Sequence, residues 1–204
     1  LSRLNVRINS NKFQNDLAKS TIESIELISQ IQKSNGQKGC HRYIISNNYS
    51  SVNIIEVFTM IRLTLGNNFN VDIVPLFESI SDLENASIIM DKIYSNKPYI
   101  NHLKRRGDIQ NIMLGFSDGT KDGGYLTANW SILKAKESLT KVSRKYGIKV
   151  IFFDGRGGPP ARGGGNTHQF YSSLGDFIES DEIQLTVQGQ TISSNFGTIK
   201  SSQY

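Results

Sequence analysis

Glu78, Asp118 and Arg156 are the side chains of this sequence whose types and places could do chemistry together. Each follows a short run rich in β-branched and aromatic residues: VDIVPLF before Glu78, the 109–116 run before Asp118, and VIFFDG before Arg156. Runs of that kind read as buried strands, and polar groups at strand ends gather at one opening in parallel α/β folds. Two carboxylates there would make a hard, oxygen-only site for Mg²⁺ or Mn²⁺, which takes one or two carboxylates plus water and substrate oxygens. Arg156 would add a forked, permanently charged donor for carboxylate or phosphate oxygens. Taken singly, Glu78 also reads as the cap of the next helix, and Asp118 as a residue stabilising a turn.

Two glycine-rich stretches surround these residues. Gly115 to Gly124 reads GFSDGTKDGG, with Lys121 three positions after Asp118, on the same side of a first helical turn. Lys121 there could act as a point charge on a carboxylate or phosphate; the plainer reading is a loop lysine balanced by Asp122. Lys149 to Gln169 reads KVIFFDGRGGPPARGGGNTHQ and holds six of the chain's 18 glycines between Gly155 and Gly165. Gly157 and Gly158 let the backbone approach an anion closely, Arg156 and Arg162 supply the charge, and Pro159 and Pro160 restrict the segment. No Gly-Lys-Ser/Thr occurs, which excludes a Walker A loop.

The histidines assemble nothing further. His41 directly follows Cys40, a spacing that points the two side chains apart on an extended chain. His102 sits in a basic segment and reads as solvated, and His168 could orient an anion or pack against Phe170. The single cysteine excludes an internal disulfide framework and fits a reducing, cytoplasmic setting. The net charge of +5 is scattered, with Lys104-Arg105-Arg106 the longest basic block, so nucleic acid is not an expected partner. No apolar run approaches the roughly 18 residues of a membrane span, so no membrane partner is expected either.

The elements that must position these residues alternate. Residues 1–19 read as an irregular lead-in, and Ser20-Thr21-Ile22-Glu23 as a capping box opening a helix that ends at Asn35-Gly36. A strand over Arg42 to Ser46 precedes a helix capped by Ser50 or Ser51, with Ile54, Val57, Ile61 and Leu65 facing inward. Val71 to Phe77 is the second strand, and Ser81-Asp82-Leu83-Glu84 a second capping box before a helix burying Leu83, Ala86, Ile89 and Ile93. A polar connector near 97–107 leads to the third strand. A long helix then shows Ile132, Ala135, Leu139, Val142 and Tyr146 on one stripe. The fourth strand ends in the glycine-rich segment, and the last covers Ile183 to Val187.

Strand ends fall near Ser46, Glu78, Asp118, Arg156 and Gln188, 32 to 40 residues apart, with a helix in each interval. Strict alternation predicts a parallel sheet with right-handed crossovers. The fold class is α/β: a partial (β/α)8 TIM-type barrel of about five parallel units, each near the roughly 30 residues such a unit needs. A doubly wound sheet is the competitor, but no Gly-x-Gly-x-x-Gly follows the first strand. The whole of 1–204 reads as one partial barrel domain, with the units over 20–197 and a tail over 198–204. The absence of an initiator Met makes the sequence read as a piece of a longer chain, and five strands cannot close an eight-stranded barrel.

The stretch IMLGFSDGTKDGG from Ile112 to Gly124 resembles the lysine-bearing signature of the phosphoenolpyruvate carboxylases, usually Gly-Tyr-Ser-Asp-Ser-x-Lys-Asp. DGRGGPPARGGGNTH (Asp154 to His168) is similar to that family's arginine-glycine loop, and VPLFES (Val74 to Ser79) and LTVQGQ (Leu185 to Gln190) match further segments in order. The likeness runs from about Ile44 to Gly197. It implies a large, mostly helical, cytoplasmic enzyme containing a barrel, tetrameric in the family, which converts phosphoenolpyruvate and bicarbonate to oxaloacetate and phosphate. By resemblance the divalent metal, Mg²⁺ or Mn²⁺, falls to Glu78 and Asp118, and the bicarbonate side to Lys121. The phosphorylated substrate falls to Arg156, and anion handling in the glycine loop to Arg162 with Gly157 and Gly158.

Three departures accompany the likeness. The family usually has His before Gly-Arg-Gly-Gly, where this chain has Asp154, an acid that would oppose an anionic substrate unless it pairs with an arginine or the metal. Phe116 replaces the usual Tyr and removes only a hydroxyl. Family members are several times longer, so the isolated chain is expected to be inactive, with exposed edge strands and weak metal binding. The alternatives are a non-catalytic anion-binding or regulatory module of the same fold, which Asp154 would favour, and an RNA-binding segment built on the two Arg-Gly-Gly triplets.

Overall fold

The computed structural model describes residues 6–155, 165–187 and 189–203. Five strands, β1 (Arg42–Ile45), β2 (Asp72–Phe77), β3 (Ile109–Leu114), β4 (Lys149–Asp154) and β5 (Ile183–Leu185), form one open sheet. Every neighbouring pair is parallel, and the spatial order β1-β2-β3-β4-β5 repeats the chain order. The helices are α1 (Asp16–Asn35), α2 (Ser51–Leu65), α3 (Ile80–Tyr94), α4 (Lys97–Arg105), α5 (Ser117–Lys145), α6 (Thr167–Ser172), α7 (Gly189–Phe196) and α8 (Ile199–Ser202).

Local chemistry sets the helix starts, and here several expectations are corrected. The 1–19 lead-in is not wholly irregular: α1 begins at Asp16, one turn before the expected capping box, because the Asn15 side chain accepts from Ala18 N at 3.0 Å. Ser20 and Thr21 instead donate their hydroxyls to Leu17 O inside the helix. Ser50 rather than Ser51 caps α2, its N–H donating to Asn53 Oδ1 at 3.0 Å. The expected box at 81–84 lies two residues earlier, where Ser79 N donates to Asp82 and Ser79 Oγ accepts from Asp82 N, both at 3.1 Å. The supposed connector over 97–107 carries α4, started by Asn96, whose side chain accepts from Tyr99 N, and by Pro98 in the first turn.

The main core lies between the sheet and the helices. Register places Phe77 beside Leu114, Ile112 beside Phe152, and Leu114 beside Asp154, so these residues share one face. Phe77, Ile112, Leu114 and Phe152 all join the helix residues Ile54, Leu83, Ile93 and Leu139 in a single buried cluster. Each such side chain contributes about 1.5–3 kcal/mol on burial. α3 and α5 pack along each other, and Tyr94 Oη and Ser143 Oγ meet at 3.0 Å between them. Within α5, Gly124 breaks the helical path with φ 78° and ψ 170°, dividing a short first segment from the long one that carries the predicted stripe.

His102 is a further correction. It is 1 % exposed rather than solvated, stacked on Phe69 at a centroid distance of 4.3 Å, with Nε2 2.9 Å from Val71 O. Because a carbonyl only accepts, Nε2 carries the proton. Burial pushes the pKa of the ring down to about 4, outweighing the bond to Val71 that favours the charged form.

Candidate active site

Two loops converge at the carboxyl ends of β2 and β3. Gly115 N donates to Phe77 O at 2.8 Å, and on the far side of the loop Asp122 Oδ2 accepts from Ile80 N at 3.2 Å. These two ties bracket Glu78 and Asp118. Contact at the first is close: a Cβ added to Gly115 would sit 3.1 Å from Glu78 Cα and 3.1 Å from its Cγ. Only glycine allows that approach without moving Glu78. Gly119 is similarly placed, 3.3 Å from Glu78 O by the same construction.

The result is a carboxylate pair. Glu78 is half-buried, and burial foremost raises its pKa; its hydrogen bond with Asp118 and the charges of Asp118 and Asp82 add to the effect. Asp118 is shifted the other way, first by Lys121 and then by the same bond with Glu78. Of the two, Asp118 thus ionises before Glu78, the usual ordering when two carboxyls share a site. Lys121 Nζ lies 3.0 Å from Asp118 Oδ1, one turn along α5, with 77 % of its side chain exposed. Asp118 occupies the first turn of that helix, where the amide dipoles favour a negative charge.

This pair fits a divalent cation of the Mg²⁺ or Mn²⁺ kind. Two neighbouring carboxyl groups present oxygen donors that a cation can take up, and such ions need no more than two carboxylates from the protein. Glu78 and Asp118 are the residues that would hold it, with substrate or water oxygens completing the shell; among the described residues no cluster of three or more His, Cys, Asp or Glu side chains suited to a metal occurs.

Arg156, Arg162, Gly157 and Gly158 lie outside the described residues. The residue before Arg156 is placed: a Cβ on Gly155 would lie 3.2 Å from Leu114 O and 3.9 Å from Gly115 Cα. The ends of β2, β3 and β4 are thus side by side. His168 is exposed on α6, and His41 Nδ1 is 2.8 Å from Lys38 O, so the described structure brings neither to the carboxylate pair.

The expectation for Asp154 is corrected in its partner. Asp154 pairs with a lysine, Lys136 Nζ at 2.7 Å from Oδ2, and accepts from Tyr171 Oη at 2.5 Å. Lys136 and Asp154 are 2 % and 4 % exposed, on the helix-covered face of the sheet. The acid is neutralised inside the core and offers no charge to an anion at the strand ends. Lys136 falls four residues after Ile132 and three before Leu139, on the buried stripe of α5. A lysine at that spacing was the sequence signal for a buried partner; Asp122 and Tyr171 carried none.

Residues 5–204 match the family model described as phosphoenolpyruvate carboxylase. The chain belongs to the phosphoenolpyruvate carboxylase family. Its similarity to the phosphoenolpyruvate carboxylase of Nitrosomonas europaea is 36 % identity over 187 residues, 89 % of this chain and 20 % of that protein. The enzyme of Nitrosomonas eutropha is 33 % identical over 202 residues, 96 % of this chain and 22 % of its own. That of Azoarcus sp. is 37 % identical over 167 residues, 79 % of this chain and 18 % of its own. The chain therefore spans about a fifth of the length of the curated relatives it matches. Among the described residues no helix is long and apolar enough to cross a membrane.

Proposed function

We propose that this chain forms part of the catalytic barrel of a cytoplasmic phosphoenolpyruvate carboxylase, joining phosphoenolpyruvate and bicarbonate to give oxaloacetate and phosphate. The observation carrying the reading is the Glu78–Asp118 pair at adjoining strand ends, with Lys121 beside it. A sheet whose order follows the chain supports a barrel segment, since a doubly wound sheet reverses its order at a switch point.

Glu78 and Asp118 would hold Mg²⁺ or Mn²⁺, which supplies Lewis-acid stabilisation of negative charge on a substrate oxygen. Transfer of the phosphoryl group to bicarbonate gives carboxyphosphate and the enolate of pyruvate; the carboxyl C–O bond of carboxyphosphate then breaks, phosphate leaves, and the enolate carbon takes up the carboxyl carbon to give oxaloacetate. Arg156 and Arg162 bind the phosphoryl oxygens, with Gly157 and Gly158 allowing the backbone to close on them. Lys121, released from Asp118 once that carboxylate is otherwise engaged, offers its ammonium to the bicarbonate side. The enolate must be kept from water, which would protonate it, so the site needs the remainder of the protein around it. Activity belongs to the complete, oligomeric enzyme, and the 204-residue chain by itself is inactive.

The test is bicarbonate-dependent phosphate release by the complete protein, with Lys121→Ala and Asp118→Asn. Loss of about 10²-fold or more in each is expected, in the range of a positioned charge or proton-transfer group. Unchanged rates in both would end the assignment.

A further inference from the structure

Asn48 lies wholly out of water in the turn between β1 and α2. Its Nδ2 donates to Ile45 O at 2.6 Å and to Leu76 O at 3.1 Å, at the carboxyl ends of β1 and β2. Both partners are carbonyl oxygens, so only the nitrogen of the amide can face them. Where the chain leaves β1, Asn47 has φ 57°, the left-handed conformation that asparagine tolerates. The last register pair between the two strands is Ile45 with Pro75, yet β2 runs on to Phe77. The side-chain amide therefore continues the ladder beyond the backbone's own pairing. Asn48 Oδ1 is buried with no hydrogen-bond partner among the described residues. An apolar side chain of the same size would avoid that cost, so the two Nδ2 bonds are what the amide supplies here. Leu76 and Phe77 carry the last two carbonyls before Glu78. Leu76 O accepts from Asn48 on the β1 side, and Phe77 O accepts from Gly115 N at 2.8 Å on the β3 side.

We infer that Asn48 is a positioning residue for Glu78, locking the end of β2 from the β1 side as Gly115 does from the β3 side. The Asn48 bond opposes movement of Leu76 away from β1, and the Gly115 bond opposes movement of Phe77 away from β3. With both in place Glu78 leaves the sheet from one fixed point, and Asp118, three residues after Gly115, from another. Asn48 touches neither carboxyl; it acts through the two residues of backbone between Leu76 and Glu78.

The effect on a bound cation rests on the function proposed above; the tie itself does not. The experiment uses Asn48→Leu in the complete protein, which keeps the volume and removes the donor. Asn48→Ala serves as companion in case leucine overpacks the site. Amide hydrogen exchange read by mass spectrometry should be about tenfold faster over residues 77–79 and at Gly115, with peptides covering β4 unchanged. The activation constant for Mn²⁺ should rise about fivefold or more, with kcat at saturating Mn²⁺ changed less. Unchanged exchange in both variants overturns the tie. Faster exchange over every strand, or loss of folding in both variants, makes Asn48 a general stabiliser and overturns the positioning role. Local loosening with an unchanged Mn²⁺ constant overturns that role as well. A wild-type protein without carboxylase activity would refute the proposed function, while the exchange rates would still decide the tie.

Discussion

Asp122 Oδ2 accepts a hydrogen bond from the backbone N–H of Ile80 at 3.2 Å, so a side chain of α5 caps the first turn of α3. Ile80 is two residues after Glu78, and Asp122 is four after Asp118. The bond therefore ties together the two segments that carry the carboxyls. Asp122→Ala should cost about 1 kcal/mol of stability, the usual worth of a helix cap. Mn²⁺ affinity should fall with it in the complete protein, and denaturant titration with calorimetry reads both quantities. Asp122→Asn, which keeps an acceptor oxygen, should retain most of each.

Gly115→Ala forces the new methyl to 3.1 Å from Glu78 Cα, and backbone cannot swing aside as a flexible side-chain tip does. A destabilisation of about 1–3 kcal/mol is expected, as for other overpacked positions. Phosphate release should drop by an order of magnitude or more through displacement of Glu78. Wild-type kinetics in Gly115→Ala would show that the close approach is dispensable.

Divalent-cation binding should depend on pH through Glu78. Its pKa lies above the ordinary carboxylate value and Asp118's below, so Asp118 is already ionised when Glu78 is still protonated. A cation must displace the Glu78 proton; affinity therefore rises as pH climbs through the raised Glu78 pKa and levels off above it. In Glu78→Gln that dependence should vanish and the binding weaken. Without a cation the folding contribution has the opposite sense: protonated Glu78 is favoured in the native state, and this contribution is lost as pH rises through the same region.

His102 gives the fold its own acid sensitivity. Its folded pKa of about 4 lies below the unfolded value of 6.5, so its stabilising contribution is present above pH 6.5 and lost as pH falls toward 4. The span corresponds to about 3 kcal/mol at one pKa unit per 1.36 kcal/mol. His102→Gln keeps a donor for Val71 O without titrating, and should flatten the pH dependence of urea midpoints between 6.5 and 4.

The sequence by itself determined the alternation of strand and helix, the parallel sheet and the family. Those rest on local period and on motif order, which short-range residue patterns carry. It also singled out Glu78, Asp118 and Lys121, because strand ends can be found from where apolar runs stop. Capping positions slipped by a few residues at Asn15 and Ser79, since several neighbouring polar side chains can each satisfy the free amides and packing selects among them. Only the tertiary structure decided that Glu78 and Asp118 are shifted in opposite directions, that His102 is enclosed by Phe58, Phe69 and Tyr99, and that Asp154 is answered by Lys136 and Tyr171. Each of those outcomes depends on groups brought together from distant parts of the chain, and charge and burial are properties of that meeting, absent from any one segment.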